Sequence, residues 1–221
     1  MNKRLKLNSL LKEYKNTKDI TKVIEAIKLR PEIFIGTKSY TRLIFFLKGF
    51  EYNYNNLSKS LFDGFELFIK KYYKNEYINS YKAILLYSGF NEYLAFDNFF
   101  RIFDVYKKSK YFNNISLECD LKVLDVGSLL RLLKKDYNKH IYVKSFERLM
   151  VFIYGYECFL TLNDLKIEEF HFDVITKYLL SKNYFNINMT LNCESIIRYM
   201  IDNDEHAFDY FYGIIEQLKL I

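Results

Sequence analysis

Three histidines are the side chains best suited to acid–base chemistry at neutral pH, and none has partners at a catalytic spacing. His171 and Asp173 are two positions apart, which would place them on different sides of a helix. His206 directly follows two acidic residues, a pattern typical of an exposed helix start. His140 is far along the chain from both. These spacings predict no catalytic residue and favour a protein that is not an enzyme.

Metal and cofactor sites are not predicted either. Cys119, Cys158 and Cys193 are odd in number and widely spaced, which suits neither disulfides nor a zinc site. We expect them to be small buried side chains. The seven glycines of the chain are too few and too scattered for a phosphate-binding loop. The sequence therefore predicts no metal and no cofactor.

Two short runs interleave basic and aromatic residues, as in proteins that bind single-stranded nucleic acid. They are Lys70–Lys74 and Lys107–Tyr111. Neither belongs to a helix-turn-helix or zinc module. The runs leave nucleic-acid binding by the first half of the chain as an alternative function.

Charge is distributed unevenly along the chain. Residues 1–113 contain 21 Lys and Arg against 11 Asp and Glu, a net charge of +10. Residues 114–221 contain 12 against 16, a net charge of −4. The total of +6 therefore combines a basic first half with an acidic second half. Such an asymmetry favours a charged partner for at least one face.

The overall composition predicts an abundant core and few turns. Half of the 221 residues are apolar and 19% are aromatic, with only one proline. This composition argues against a turn-rich β-sandwich. The lysine-rich beginning lacks the apolar run of a signal peptide, and no segment is long enough to cross a membrane. We expect a soluble cytoplasmic protein that does not insert into membranes.

The chain also repeats itself. Ser39–Glu51 and Ser145–Glu157 share Ser, Arg, Leu, Gly and Glu at an offset of 106 residues. Ala95–Phe100 and Ala207–Tyr212 match at an offset of 112. Repeats of this length indicate duplicated domains rather than a short solenoid unit. We predict two tandem copies of a small helical module packed together, residues 1–114 and 115–221.

Apolar residues at helical spacing predict an all-α fold. Stripes of this kind are Leu43, Phe46, Leu47 and Phe50; Phe65, Phe68, Ile69 and Tyr72; Phe96, Phe99, Phe100 and Phe103; Leu149, Phe152, Ile153 and Tyr156; and Phe208, Phe211, Tyr212 and Ile215. Residues predicted to cap helix starts are Asp19 or Thr21, Ser39, Ser80, Asn91 and Ser145. A small β-hairpin is allowed at Ile33–Thr37 or at Tyr184–Thr190, where apolar residues alternate.

The segment Arg30–Gly36 carries two resemblances. Arg-Pro-x-x-Phe-Ile-Gly is similar to a segment of gyrase-type ATPase domains, which also need Asp-x-Gly-x-Gly and a glycine-rich lid. Here Asp125-Val126-Gly127 has no second glycine after it, so ATP binding is not expected. The alternative is structural, with Pro31 ending a helix and Gly36 forming a turn.

The second resemblance covers most of residues 20–110. Arg30–Gly36, Ser39–Phe50, Phe62–Tyr73 and Ala95–Asp104 resemble the consecutive segments of a family of small bacterial immunity-like proteins. The second half keeps Ser145–Glu157 and its Ala-Phe-Asp segment but has other residues at the Arg-Pro-Gly positions. The resemblance implies an immunity protein that binds a cognate bacterial toxin and occludes its active site.

Many such toxins are basic nucleases, and a basic partner would be attracted to the acidic second half. On charge alone, six residues are predicted to contact the toxin: Glu168, Glu169, Asp173, Asp202, Asp204 and Glu205. Adjacent acidic residues at helix ends also serve capping and solvation, and this second interpretation stays open for the same residues.

Overall fold

The computed structural model describes residues 20–52, 61–112, 123–165, 170–182 and 191–221. Helices joined by turns and loops make up these residues, and no strand occurs among them, which confirms the predicted all-α fold. In chain order the helices are α1 Ile20–Leu29, α2 Pro31–Phe34, α3 Tyr40–Glu51, α4 Leu61–Tyr72, α5 Ser80–Tyr87, α6 Glu92–Tyr106, α7 Val126–Lys135, α8 Tyr137–His140, α9 Phe146–Leu162, α10 Phe172–Lys182, α11 Cys193–Met200 and α12 Asp204–Gln217.

The chain divides into two compact units. Unit 1 consists of residues 1–122 and 154–165, and unit 2 of residues 123–153 and 166–221. The long helix α9 therefore contributes its first half to unit 2 and its second half to unit 1. The predicted modules, 1–114 and 115–221, rest on the sequence repeats and stay a prediction.

The core of unit 1 is built from aromatic side chains on several helices. All four residues of the α3 stripe, Leu43 to Phe50, are fully buried. The Phe65 ring of α4 meets Phe99 and Tyr106 of α6 edge-on, at centroid distances of 5.5 and 5.2 Å. Such edge-on pairs add to the free energy of burial. Tyr72 at the end of the α4 stripe is half exposed, contrary to its place in the predicted stripe.

A glycine in the second half of α9 allows two helices of unit 1 to approach closely. A Cβ atom on Gly155 would lie 1.9 Å from the carbonyl oxygen of Phe46 and 3.0 Å from the amide nitrogen of Phe50. No side chain fits at that distance, so only glycine permits this approach of α9 to α3. Gly155 belongs to the repeated segment, and this contact gives it a packing role.

The core of unit 2 contains the corresponding stripes. Phe146 of α9 packs against Phe211 of α12 with ring centroids 5.4 Å apart. The Tyr212 hydroxyl donates a hydrogen bond of 3.0 Å to the carbonyl oxygen of Leu130, in the interior. Cys193 is buried, and this burial raises the pKa of its thiol to about 12. Cys158, in the unit 1 part of α9, is buried as well, and Cys119 lies outside the described residues.

Local signals account for most helix starts. The side chains of Ser39, Asn91 and Ser145 accept hydrogen bonds from the amide three residues on, at 3.2, 2.9 and 3.1 Å, which confirms them as caps. The prediction of Ser80 as a cap is wrong, because its neighbour Asn79 accepts the N–H of Lys82 at 2.9 Å. Asp19 lies outside the described residues.

The predicted hairpin at Ile33–Thr37 is also wrong. Pro31 begins the one-turn helix α2, because its fixed φ suits the first helical position and that position needs no N–H donor. Gly36 then turns the chain with a φ of 84°. The other hairpin candidate, Tyr184–Thr190, lies outside the described residues. Among the helices of the described residues, none is both long and apolar enough to cross a membrane.

Candidate functional site

Polar side chains that hold the fold together must be separated from those available to a partner. The helices of the two halves make this separation possible, because α7, α8 and α9 begin 106 residues after α1, α2 and α3, and α12 begins 112 residues after α6. These are the offsets of the sequence repeats. Contacts that occur at the same offsets in both halves are therefore candidates for structural roles.

The first recurring contact surrounds the caps of α3 and α9. Ser39 accepts the N–H of Arg42, and Ser145 accepts the N–H of Arg148. Each arginine then donates a side-chain hydrogen bond to the backbone carbonyl seven residues before it. The Ser and Arg letters of the repeated segment thus fix the loop that leads into each helix.

The second recurring contact involves a carboxylate at the start of the last helix in each half. Glu92 accepts the Thr41 N–H at 2.8 Å, and Asp204 accepts the Glu147 N–H at 2.9 Å. Both carboxylates bind an amide in the first turn of a neighbouring helix, where the helix dipole favours negative charge. Asp204, predicted as a toxin contact, therefore also stabilises the start of α9.

The third set consists of exposed ion pairs. Lys28 of α1 pairs with Asp104 of α6 at 3.2 Å, and Lys134 of α7 pairs with Glu216 of α12. Their ammonium groups lie 5.6 and 5.5 Å from the centres of the Phe100 and Tyr212 rings, respectively. Exposed pairs of this kind contribute little energy singly. They recur at offsets of 106 and 112, as do the pairs Lys38–Asp97 at 3.9 Å and Lys144–Asp209 at 3.0 Å.

Three carboxylates that stand apart in the sequence line one cleft of unit 2. The cleft has a volume of about 300 Å³ and lies between α9, α11 and α12. Glu147, Asp202 and Asp204 carry its negative charge, and Arg198, Ile201 and Ala207 complete its lining. Asp202 and the adjacent Glu205 are exposed. We define Glu147, Arg198, Asp202 and Asp204 as the acidic cleft.

Arg198 gives the acidic cleft one donor. Its Nε donates to Glu194 at 3.1 Å, and its guanidinium carbon lies 5.6 Å from the centre of the Phe146 ring. Its Nη2 is buried and has no hydrogen-bond partner among the described residues. A buried donor left without an acceptor costs free energy, which an acceptor from a bound molecule would recover. The cleft thus offers both carboxylates and a donor.

The other predicted contact residues do not line this cleft. Asp173 lies at the start of α10, where Lys177 pairs with it at 3.4 Å. His171 precedes that helix, so its Nδ1 comes within 4.0 Å of Asp173, contrary to the expectation that they face apart. Glu168 and Glu169 lie outside the described residues.

Sequence reasoning missed Glu147 and Arg198 as members of the acidic cleft. Glu147 is 57 residues before Asp204 and belongs to a different helix. Arg198 is separated from Asp202 by the end of α11, and its i, i+4 partner Glu194 predicts an ordinary exposed pair. Only the packing of α9 against α11 and α12 brings these residues together.

The two basic and aromatic runs differ in how their charges are used. In the second run, Lys107 is paired with both Glu25 and Asp104 at 3.1 Å. In the first run, Lys70 pairs with Glu66 at 3.9 Å, and the Lys71 ammonium lies 5.0 Å from the centre of the Tyr111 ring. Internal contacts thus engage most of these lysines. Within the described residues no group of His, Cys, Asp and Glu is arranged to hold a metal ion.

Comparison of the chain with family models, with curated proteins and with solved structures finds no match. The functional conclusion therefore depends on the residues themselves.

Proposed function

We propose that this chain is a tandem pair of helical modules that binds a basic protein, a bacterial toxin, and inhibits it by covering its active site. The observation that carries the proposal is the acidic cleft, in which Glu147, Asp202 and Asp204 meet. The recurring contacts support the tandem arrangement. They also account for the shared polar residues as structural, which leaves the unshared surface to recognise a partner.

The chemistry of the cleft suits a basic segment of another protein. A lysine or arginine side chain would enter beside the carboxylates, and charge-assisted hydrogen bonds of this kind are among the strongest in proteins. A backbone carbonyl of the same segment would accept from Arg198 Nη2, the donor that lacks a partner among the described residues. Peptide segments supply both groups at once, so the cleft favours a protein over a small ion.

Long-range charge supports the same partner. Residues 157–221 contain 5 Lys and Arg against 11 Asp and Glu, a net charge of −6. A negative surface attracts a basic partner before contact and raises the association rate. Inhibition by coverage needs a rigid surface and no catalytic group, which fits a chain whose histidines have no catalytic spacing.

The test uses the purified full chain and the purified product of the gene adjacent to its own. Isothermal titration calorimetry should give a tight complex whose affinity falls with salt. Reversing two exposed acids, Asp202→Lys with Glu205→Lys, should weaken it about a hundredfold. The matched control is Glu32→Lys with Glu76→Lys, which changes net charge equally at exposed positions in unit 1 and should leave the dissociation constant within about threefold.

Two results would overturn the proposal in different ways. If the adjacent product does not bind and its toxicity is unchanged on co-expression, the inhibitory function is wrong. If it binds and both double variants bind alike, the function stands and the acidic cleft is not the contact surface.

A further inference from the structure

An aromatic stack at the surface of unit 1 has no counterpart in the recurring contacts. The rings of Tyr73, after α4, and Tyr87, at the end of α5, lie parallel at a centroid distance of 4.1 Å and an angle of 2°. Tyr72 meets Tyr73 edge-on at 5.1 Å. Tyr72 and Tyr87 are each half exposed. The two helices thus end in a platform of tyrosine rings that faces solvent.

The turn after α5 adds another exposed ring. Gly89 and Phe90 both have left-handed backbone conformations, with φ of 63° and 57°. A phenylalanine in this conformation carries a backbone penalty. The turn nevertheless holds its side chain 68% exposed. Because neither the backbone nor burial within this chain favours Phe90 here, a bound molecule is the natural source of compensation.

Positive charge lies beside the platform. Burial raises the pKa of Tyr73, and the positive charge of Arg101 opposes that rise, which places the guanidinium within electrostatic reach of the ring. Arg101 donates to Asn98, which donates to Ser88 at 2.6 Å and so holds this part of α6 to the end of α5. Lys74 follows Tyr73 directly and is exposed. We call Tyr72, Tyr73, Lys74, Tyr87, Phe90 and Arg101 the tyrosine surface.

We infer that the tyrosine surface binds single-stranded nucleic acid, with a base stacked on Tyr87 and phosphates beside Lys74 and Arg101. Every base has a flat face that extends a parallel ring stack, and exposed aromatic rings with flanking cations are the usual means of sequence-independent binding. An acidic peptide would match the charges but offers no flat ring to continue the stack. This activity is independent of the acidic cleft.

The experiment is fluorescence anisotropy of the full chain with labelled 20-mers of dT and of U, in 50 and 200 mM salt. Binding should weaken as salt rises, because phosphate contacts release counterions. Tyr87→Ala should raise the dissociation constant about tenfold, whereas Tyr87→Phe, which keeps the ring, should leave it within about twofold. The matched control is Tyr199→Ala, which removes a tyrosine that is 80% exposed in unit 2.

Lys74→Glu should weaken binding and reduce the dependence on salt, and Lys139→Glu, at another exposed lysine, serves as its control. Circular dichroism of each variant confirms folding. Stronger binding of U than of dT would identify RNA as the ligand, and the reverse would identify DNA. The inference is overturned if neither oligomer binds at 50 mM salt, if Tyr87→Ala and Tyr199→Ala behave alike, or if a poly-glutamate peptide competes as well as the oligomers.

Discussion

Helices α1–α6 and α7–α12 share an order and a set of internal contacts but present different surfaces. Ten of the twelve large apolar side chains exposed in the described residues occur between Leu29 and Val105, and the other two are Val143 and Tyr199. The second half instead has the acidic cleft and the greater share of acidic residues. The interior is alike where the exterior is not.

This difference indicates which positions answer to folding and which to partners. A carboxylate that caps a neighbouring helix is present in both halves, as Glu92 and Asp204. The left-handed turn is also present in both, although Gly36 is replaced by Tyr142, whose φ is 70°. Backbone geometry has been kept there at some conformational cost. The tyrosine surface and the acidic cleft belong to one half each, which is what separate binding surfaces require.

The largest effect is expected from the close helix approach in unit 1. Gly155→Ala places a Cβ atom 1.9 Å from a backbone oxygen that has no rotamer to move away. The helices must separate, and we expect a loss of about 3 kcal/mol of unfolding free energy. Thermal unfolding followed by circular dichroism should show a melting temperature lower by roughly 10 °C.

Gly213→Ala is the control for this substitution. Gly213 is exposed within α12, and a Cβ atom there would have nothing within 4 Å. Alanine should stabilise the helix by about 0.5–1 kcal/mol. Equal effects of the two substitutions would contradict the assignment of Gly155 to a close helix contact.

The paired carboxylates allow a direct comparison of the halves. Glu92 accepts hydrogen bonds from the Ser39 hydroxyl and from both the amide and the hydroxyl of Thr41, whereas Asp204 accepts from the Glu147 amide. We therefore expect Glu92→Ala to cost about 2 kcal/mol and Asp204→Ala about 1 kcal/mol. Chemical denaturation measures both. A larger loss for Asp204→Ala would contradict the ranking and make that residue chiefly structural.

Local sequence signals predicted the helices well, because the caps and apolar stripes depend on residues within one or two turns. Ser39, Asn91 and Ser145 were identified from their own neighbours. The cap at Asn79 was missed by one position, since Asn79 and Ser80 are both good caps and only the backbone geometry distinguishes them. Pro31 was predicted to end a helix, and it also begins the next.

The candidate sites could be predicted only in part. Asp202 and Asp204 were identified from their charge, but their meeting with Glu147 and Arg198 depends on how three helices pack. Tyr73 was noticed in a basic and aromatic run, whereas its stacking partner Tyr87 lies 14 residues away on another helix. Contacts between elements leave no periodic trace in the sequence, so no local pattern revealed them.

A smaller effect should follow from the one polar contact at the recurring Phe and Tyr position. Tyr212 donates its hydroxyl to the Leu130 carbonyl in the interior of unit 2. Phe100 holds the position 112 residues earlier and lines a cleft of about 290 Å³ in unit 1. Tyr212→Phe should cost about 1 kcal/mol by removing this hydrogen bond. Phe100→Tyr should change stability by less than about 0.5 kcal/mol, because the cleft has room for the hydroxyl.

The smallest predicted effect depends on pH and concerns the start of α7. Asp125 accepts the Ser128 hydroxyl at 2.6 Å and the Ser128 amide at 2.8 Å, and these hydrogen bonds hold its pKa below the ordinary value. A carboxylate with a lowered pKa in the folded state stabilises the protein above its unfolded pKa of about 3.9. The stabilisation is lost as the pH falls through the lower, folded pKa.

Asp125→Ala should therefore cost about 1 kcal/mol at pH 7, and its difference from the wild type should shrink as the pH falls below about 4. Asp125→Asn separates capping from charge, since asparagine caps α5, α6, α11 and α12 in this chain without titrating. Its stability difference from Asp125→Ala should stay constant with pH. Asp19 holds the position 106 residues earlier, so the same pH profile for Asp19→Ala would extend the match between the halves, and a flat profile would break it at that position.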